Sequence, residues 1–248
     1  MMHTFAYSGS LAQTPNVDVP AVVDDILTIS DNHFILPQPR KLFVGYAGSA
    51  TLTLAEITNP TFRTIAPIRL LPWNVAALPA NNPNVFDASQ LSITLPSNQE
   101  LQAICSSGVA TGSETVFVVL SAYDQFQTAP SGTVYSYHGG STTTTNVGSW
   151  TTCTTTWDTT LGSGIYAVIG GTVADAGGIA YRVIFPGQPD RPGGLCVGSL
   201  ANRSWPGFRN GGGGLWGNFQ SLALPQVQVL AATSTSTRDI TLDIIKIG

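Results

Sequence analysis

The sequence predicts an all-β protein in which one sandwich module is written twice. Three observations predict it: β-branched and aromatic runs along nearly the whole chain, Pro and Gly punctuation at short intervals, and blocks that return in the same order about half a chain later. The phrase "TFAYSGS" (4–10) is answered by "VYSYHGGS" (134–141), which sets Tyr7 130 positions before Tyr137. "KLFVGYAGSATLTLAEITNPTFRTIAPIRLLP" (41–72) has a shorter echo in "GIYAVIGGTVADAGGIAYRVIFP" (164–186). "FDASQLSITLPSNQELQAICSSGVATGSETVFVVLSA" (86–122) is echoed by "FQSLALPQVQVLAATSTSTRDITLDIIKI" (219–247), with Leu95-Pro96 129 positions before Leu224-Pro225. Offsets near half of 248 residues, kept in order, are the mark of an internal duplication.

Taken in order, the doubled phrase is the first strand of each copy. Further strands are expected near 21–30, 41–47, 50–57, 62–70 and 90–95. In "PSNQELQAICSSG" Ser97 and Glu100 form a capping box, Leu101 and Ile104 sit three apart and Gly108 closes the end, so one short helix is expected there. "ETVFVVLSAY" (114–123) is a β-branched and aromatic strand that ends the first copy. Thr128, Ala129, Pro130 and Gly132 in "QFQTAPSGT" (125–133) read as a linker. The second copy is expected to run through strands near 148–157, 164–172, 178–185 and 221–230 to "RDITLDIIKI" (238–247), where Ile240, Leu242 and Ile244 alternate with Thr241 and Asp243. About eight strands per copy is the size of a jelly roll, two four-stranded sheets facing each other across one core. The expected architecture is therefore two tandem eight-stranded jelly rolls, residues 1–126 and 127–248.

Composition bounds the partners. Only 10% of the residues are charged and 43% are apolar, so the chain is not disordered. A soluble monomer designed from scratch carries roughly 25–35% charged residues on its surface. Two readings follow: a chain that buries much of its outside against other chains, or a neutral Thr/Ser-rich surface like that of many secreted β-proteins. The net charge is −4 and no Lys or Arg precedes Arg40, so the basic arm that would grip nucleic acid is missing. Cys105, Cys153 and Cys196 are odd in number and widely spaced, which fits buried free thiols better than a zinc site or a disulfide framework. "MMHTFAYSGSLAQ" has neither a basic n-region nor an apolar h-region, and no run approaches the roughly 18 apolar residues of a membrane span. The expectation is a protein made in a cytoplasm, where the sequon Asn202-Arg203-Ser204 is a coincidence.

Catalytic groups are thin. His3, His33 and His138 have no metal-pair or hydrolase spacing, and "LGSGI" (161–165) is not a nucleophile elbow. Asp24 and Asp25 are adjacent and point to opposite sides of a strand, which leaves Asp124, Asp158 or Asp190 to meet another carboxylate across the fold. "NGGGGLWG" (210–217) lacks the Lys-Ser/Thr of a phosphate loop. The connection around it (186–219) is long and rich in Trp and Arg. Arg191, Trp205, Phe208, Arg209 and Trp216 are the expected subunit contacts, because such side chains dominate interface hot spots. The Thr run "STTTTNVGSWTTCTTTWDTT" (141–160) keeps no strict period and is expected as exposed strand and loop.

Two successive jelly rolls, few charges, a short helix before a late strand of the first half, and "YRVIFPGQPDRPGG…FRNGGGGLWGNFQSLALPQVQVL…ITLDIIKI" together resemble the double jelly-roll major capsid proteins of tailless icosahedral prokaryotic viruses. The likeness covers most of the chain as architecture, and its motifs are confined to the C-terminal half. It implies barrels standing upright to the shell and three copies forming a pseudo-hexameric capsomer that tiles an icosahedral lattice. Minor capsid proteins and an internal membrane would then be the further partners, with synthesis in the host cytoplasm and the virion as destination. No catalytic residue, metal or cofactor is implied, and direct nucleic-acid binding is not expected. A second reading is a carbohydrate-binding β-sandwich with Trp150, Trp157, Trp205 and Trp216 as stacking platforms. A third is a hydrolase on the same scaffold, which needs two carboxylates meeting in a cleft.

Overall fold

A computed structural model describes residues 1–12, 16–49, 52–61, 67–70, 72–74, 85–107, 113–197 and 213–248. It divides into two compact units, Phe5–Asp124 and Met1–Thr4 with Gln125–Gly248, called here the first and second unit. Set beside the expected 1–126 and 127–248, the differences are residues 1–4 and the pair Gln125 and Phe126, all grouped with the second unit. The grouping of residues 1–4 has a local cause: Thr4 N donates to Arg191 O (2.7 Å) and Arg191 N donates to His3 Nδ1 (3.2 Å).

The first unit contains β1 (Met2–Ala12), β2 (Val17–Val19), β3 (Thr28–Ser30), β4 (His33–Ile35), β5 (Arg40–Ser49), β6 (Leu52–Thr58), β7 (Ile68–Leu70), β8 (Pro72–Asn74), β9 (Phe86–Asp87), β10 (Thr94–Leu95), β11 (Glu100–Ser107) and β12 (Ser113–Tyr123). One sheet runs β1-β12-β5-β10, with β8 and β9 also on β5; the other runs β3-β4-β11-β6-β7, with β2 also on β11. The second unit contains β13 (Val134–Ser141), β14 (Trp150–Cys153), β15 (Thr155–Trp157), β16 (Ile165–Ala174), β17 (Gly178–Ile184), β18 (Gly193–Leu195), β19 (Gly217–Gln220), β20 (Gln226–Ala231) and β21 (Arg238–Lys246). Its sheets run β15-β13-β21-β16-β19 and β14-β20-β17-β18.

The two units share one strand order. With eight positions counted along each unit, one sheet takes positions 1-8-3-6 and the other 2-7-4-5, which is the jelly-roll order. Position 2 of the first unit is broken into β2, β3 and β4 and its position 6 into β9 and β10, while β8 adds to β5 in parallel; in the second unit position 2 is β14, and β15 crosses to the other sheet to pair with β13. That is why the sheets hold more segments than the four expected. The repeated sequence blocks fall on equivalent strands: β1 with β13, β5 and β6 with β16 and β17, β11 and β12 with β20 and β21.

The helix expected at 97–108 is a strand. Leu101, Ala103 and Cys105 are buried while Gln102 and Ile104 are half-buried, a period of two rather than 3.6. β11 lies between β6 on one side and β2 and β4 on the other, so its backbone groups are satisfied by neighbours. Asn98 turns the chain into it with φ 55°. Local helix formers such as Leu, Gln and Ala are outweighed by pairing and burial that only the tertiary fold supplies. Among the described residues, helix occurs at Pro60 and Thr61, after Asn59, where a proline fits a first helical position.

The first core is built on β1, β5, β11 and β12. Phe34 meets the Phe5 and Tyr7 rings edge-on at 5.1 and 5.0 Å, and the Tyr7 hydroxyl donates to Leu101 O at 2.5 Å. In the second unit Tyr137, Val168, Val173, Ile240, Leu242 and Ile244 fill the core-facing side of the larger sheet, and the Tyr181 hydroxyl reaches across to Gly171 O. A Cβ on Gly193 would sit 1.9 Å from Tyr181 O, so the pairing of β18 with β17 requires glycine there. Cys105, Cys153 and Cys196 are buried free thiols, and burial pushes Cys105 up to about 12.

Candidate functional site

The residues expected to touch a neighbouring subunit separate into two groups. Trp216 is completely buried: its ring is tilted against Tyr181 at 6.3 Å and its backbone N–H donates to Val168 O (2.9 Å). Arg191 is 8% exposed, and its Nη1 donates to the carbonyls of Gln188, Pro189 and Asp190 at 2.8, 3.1 and 3.3 Å. Both side chains are therefore engaged within their own unit. Trp205, Phe208 and Arg209 lie outside the described residues.

Of the tryptophan platforms of the carbohydrate reading, Trp150 and Trp157 are also engaged within the chain. Arg182 lies 4.4 Å over the Trp150 ring, and Trp157 is stacked on Tyr137 at 4.3 Å. The histidines are spread out. His3 is fully buried, and His33 is buried as well, with Nε2 2.5 Å from Asp18 and Nδ1 3.6 Å from Glu100. This arrangement ties β2, β4 and β11 together. His138 pairs with Asp158 at 2.6 Å on the exposed side of β13. Asp124 accepts from Gln38 (3.0 Å), and Asp190 is buried.

Two ends of the second unit's larger sheet have opposite character. At one end β13 stops, β21 begins and β16 turns into β17. There Arg238 Nε donates to Asp175 Oδ2 at 2.8 Å, both side chains having no exposed surface. Asp175 Oδ1 accepts from Thr235 Oγ1 (2.6 Å) and Gly177 N (3.0 Å), while the guanidinium reaches Thr143 O, Cys153 Sγ and Thr235 O. Burial by itself would raise the Asp175 pKa, but these hydrogen bonds and the Arg238 charge outweigh it and hold the carboxyl below its ordinary value. Fully satisfied, this cluster is a lock rather than a binding site.

At the other end β13 and β16 begin and β21 and β19 finish. Val134 pairs with Ile245, and Ala167 pairs with Ile245, so all three share the sheet face opposite to Tyr137 and Val168, on which Ala167 and Ile245 are covered and Val134 is not. Ile165 and Ile247, two residues along their strands, share it too. Val134, Ile165 and Ile247 are 41%, 42% and 45% exposed. Beside them Leu222 is 97% exposed at the tip of a turn fixed by Ala223 N to Gln220 O (2.9 Å) and Ser221 N to Gly164 O (3.1 Å). These four exposed apolar side chains mark a rim at this end of the sheet, and exposed apolar residues of this size are characteristic of association surfaces. Sequence reasoning placed Leu222 inside a strand and so missed it. The signal available was "SLALP", an apolar residue between a turn serine and a proline.

No family model matches the chain, and no curated protein matches it. Among solved structures, the crystal structure of the major capsid protein P2 from Bacteriophage PM2 matches it at 8% identity, covering 100% of this chain and 98% of that chain, with a TM-score of 0.27.

Proposed function

We propose that the chain is a structural shell subunit: a double jelly-roll major capsid protein that self-associates into trimers, which then tile an icosahedral capsid. The observation that carries this reading is the strand order 1-8-3-6 and 2-7-4-5 occurring in both units of a chain with 10% charged residues. Duplication of one module, with copies near 1–126 and 127–248, lets three chains present six similar barrels around an axis, and tiling then follows from symmetry rather than chemistry. The uncharged rim of Val134, Ile165, Leu222 and Ile247 supports the reading, because a stable contact needs at least about 1,000 Å² of well-packed surface with an apolar centre.

In this reading the protein is made in a host cytoplasm and ends in the virion. Its partners are further copies, minor capsid proteins and an internal membrane, and it neither binds the genome directly nor catalyses a reaction. The test is mass: purified protein is expected at about three times 26.0 kDa by light scattering, with ring-shaped particles by electron microscopy. A strict monomer at every protein concentration and ionic strength would remove the proposal.

A further inference from the structure

Along β21 the core-facing row reads Ile240, Leu242 and Ile244 and then arrives at Lys246. Ile244 pairs with Tyr135 across β13, and Lys246 pairs with Tyr166 across β16. At this end of the second sandwich the aliphatic row therefore gives way to two tyrosines and a lysine. Together with Tyr137, Thr159 and Leu161 they line an open cavity of about 330 Å³. The mouth of a barrel is a preferred place for a ligand, and this volume is within the usual range.

The walls are fixed in advance. Tyr137 is held from behind by Trp157 at 4.3 Å; Tyr166 donates to Gly162 O at 2.8 Å and stacks on Phe219 at 5.6 Å. Two groups are left over. Tyr135 is 54% exposed and, among the described residues, has no hydrogen-bond or ring partner. Lys246 is the one charge on the lining, and among the described residues no carboxylate lies within ion-pair distance of it. An open aromatic face beside an unpaired ammonium, with Thr159 also on the lining, fits a ring that has an apolar face, polar edges and a carboxylate.

We propose that this mouth binds an acidic sugar, a pyranose ring bearing a carboxylate. The ring's C–H face lies on Tyr135 and the carboxylate meets the Lys246 ammonium. The apolar rim occupies the opposite side of the same strands, so this site stands independently of the assembly reading.

The test is titration of the full-length protein, by calorimetry or saturation-transfer NMR, with glucuronic acid and N-acetylneuraminic acid, using glucose and benzoate as comparators. At least one acidic sugar is expected to bind with a dissociation constant on the order of millimolar. Lys246→Gln and Tyr135→Ala should each weaken binding about ten-fold, whereas Tyr135→Phe retains it. Both altered side chains are exposed, and circular dichroism verifies that each variant is folded. Failure of both acidic sugars to bind overturns the proposal, as does glucose binding equally well, benzoate binding while both acidic sugars do not, or an unchanged affinity in Lys246→Gln.

Discussion

Arg238→Ala is expected to destabilise the second unit by about 3–5 kcal/mol, the usual cost of leaving a buried charge without its partner. Asp175 would lose its charge-assisted bond while remaining in a site with no exposed surface, and the carbonyls of Thr143 and Thr235 would lose their guanidinium donor. These groups come from β13's exit, the β16–β17 turn and the approach to β21, so one substitution loosens three connections together. Denaturant titration should move the transition of the second unit, and hydrogen exchange should localise the loss to β16, β17 and β21. A change below about 1 kcal/mol would place this pair among salt bridges that contribute little. The same lock sets a pH response. Because the folded pKa of Asp175 is depressed below 3.8, its contribution is present above that pH and is lost as pH falls through the lower folded value. Acid unfolding of this unit should therefore develop below about pH 4 in the wild type, and in Arg238→Ala it should begin at a higher pH.

The double variant Leu222→Asp, Ile247→Asp is expected to leave the protein folded and abolish assembly. Burying a leucine or isoleucine at a contact is worth about 1.5–3 kcal/mol, and an aspartate there adds an unpaired buried charge, so association should weaken by more than about 100-fold. Both side chains are exposed, so far-UV circular dichroism and the unfolding midpoint should stay near wild type. Sedimentation velocity reads the outcome directly. Trimers persisting at wild-type concentration dependence would show that subunits meet through another surface.

Reading the strands was possible because period-two alternation and β-branched runs report a physical fact about each segment: it has one covered face and one less covered. β21 shows this well, since Ile240, Leu242 and Ile244 all lie in the core. β11 shows where it fails. Its capping-box spacing is real, yet pairing with β2, β4 and β6 removes any need for an intrahelical ladder. Two of the expected contact residues, Trp216 and Arg191, show the same dependence on context. Trp and Arg are enriched at interfaces because they bury large area and make many bonds, and the same properties suit a core. Trp216 against Tyr181 and Arg191 bonded to its own loop carbonyls use them inward.

By itself the amino-acid order determined that the chain is all-β and that its strands recur in one sequence along two halves, because repeated blocks keep their order however they pack. Which neighbour meets each side chain was decided only in three dimensions. Asp175 and Arg238 stand 63 positions apart and meet through strand register, Lys246 enters a core-facing row by its pairing with Tyr166, and Leu222 is exposed because its turn is held outside β19. Such outcomes depend on long-range pairing, and local pattern is blind to the neighbour that covers a face.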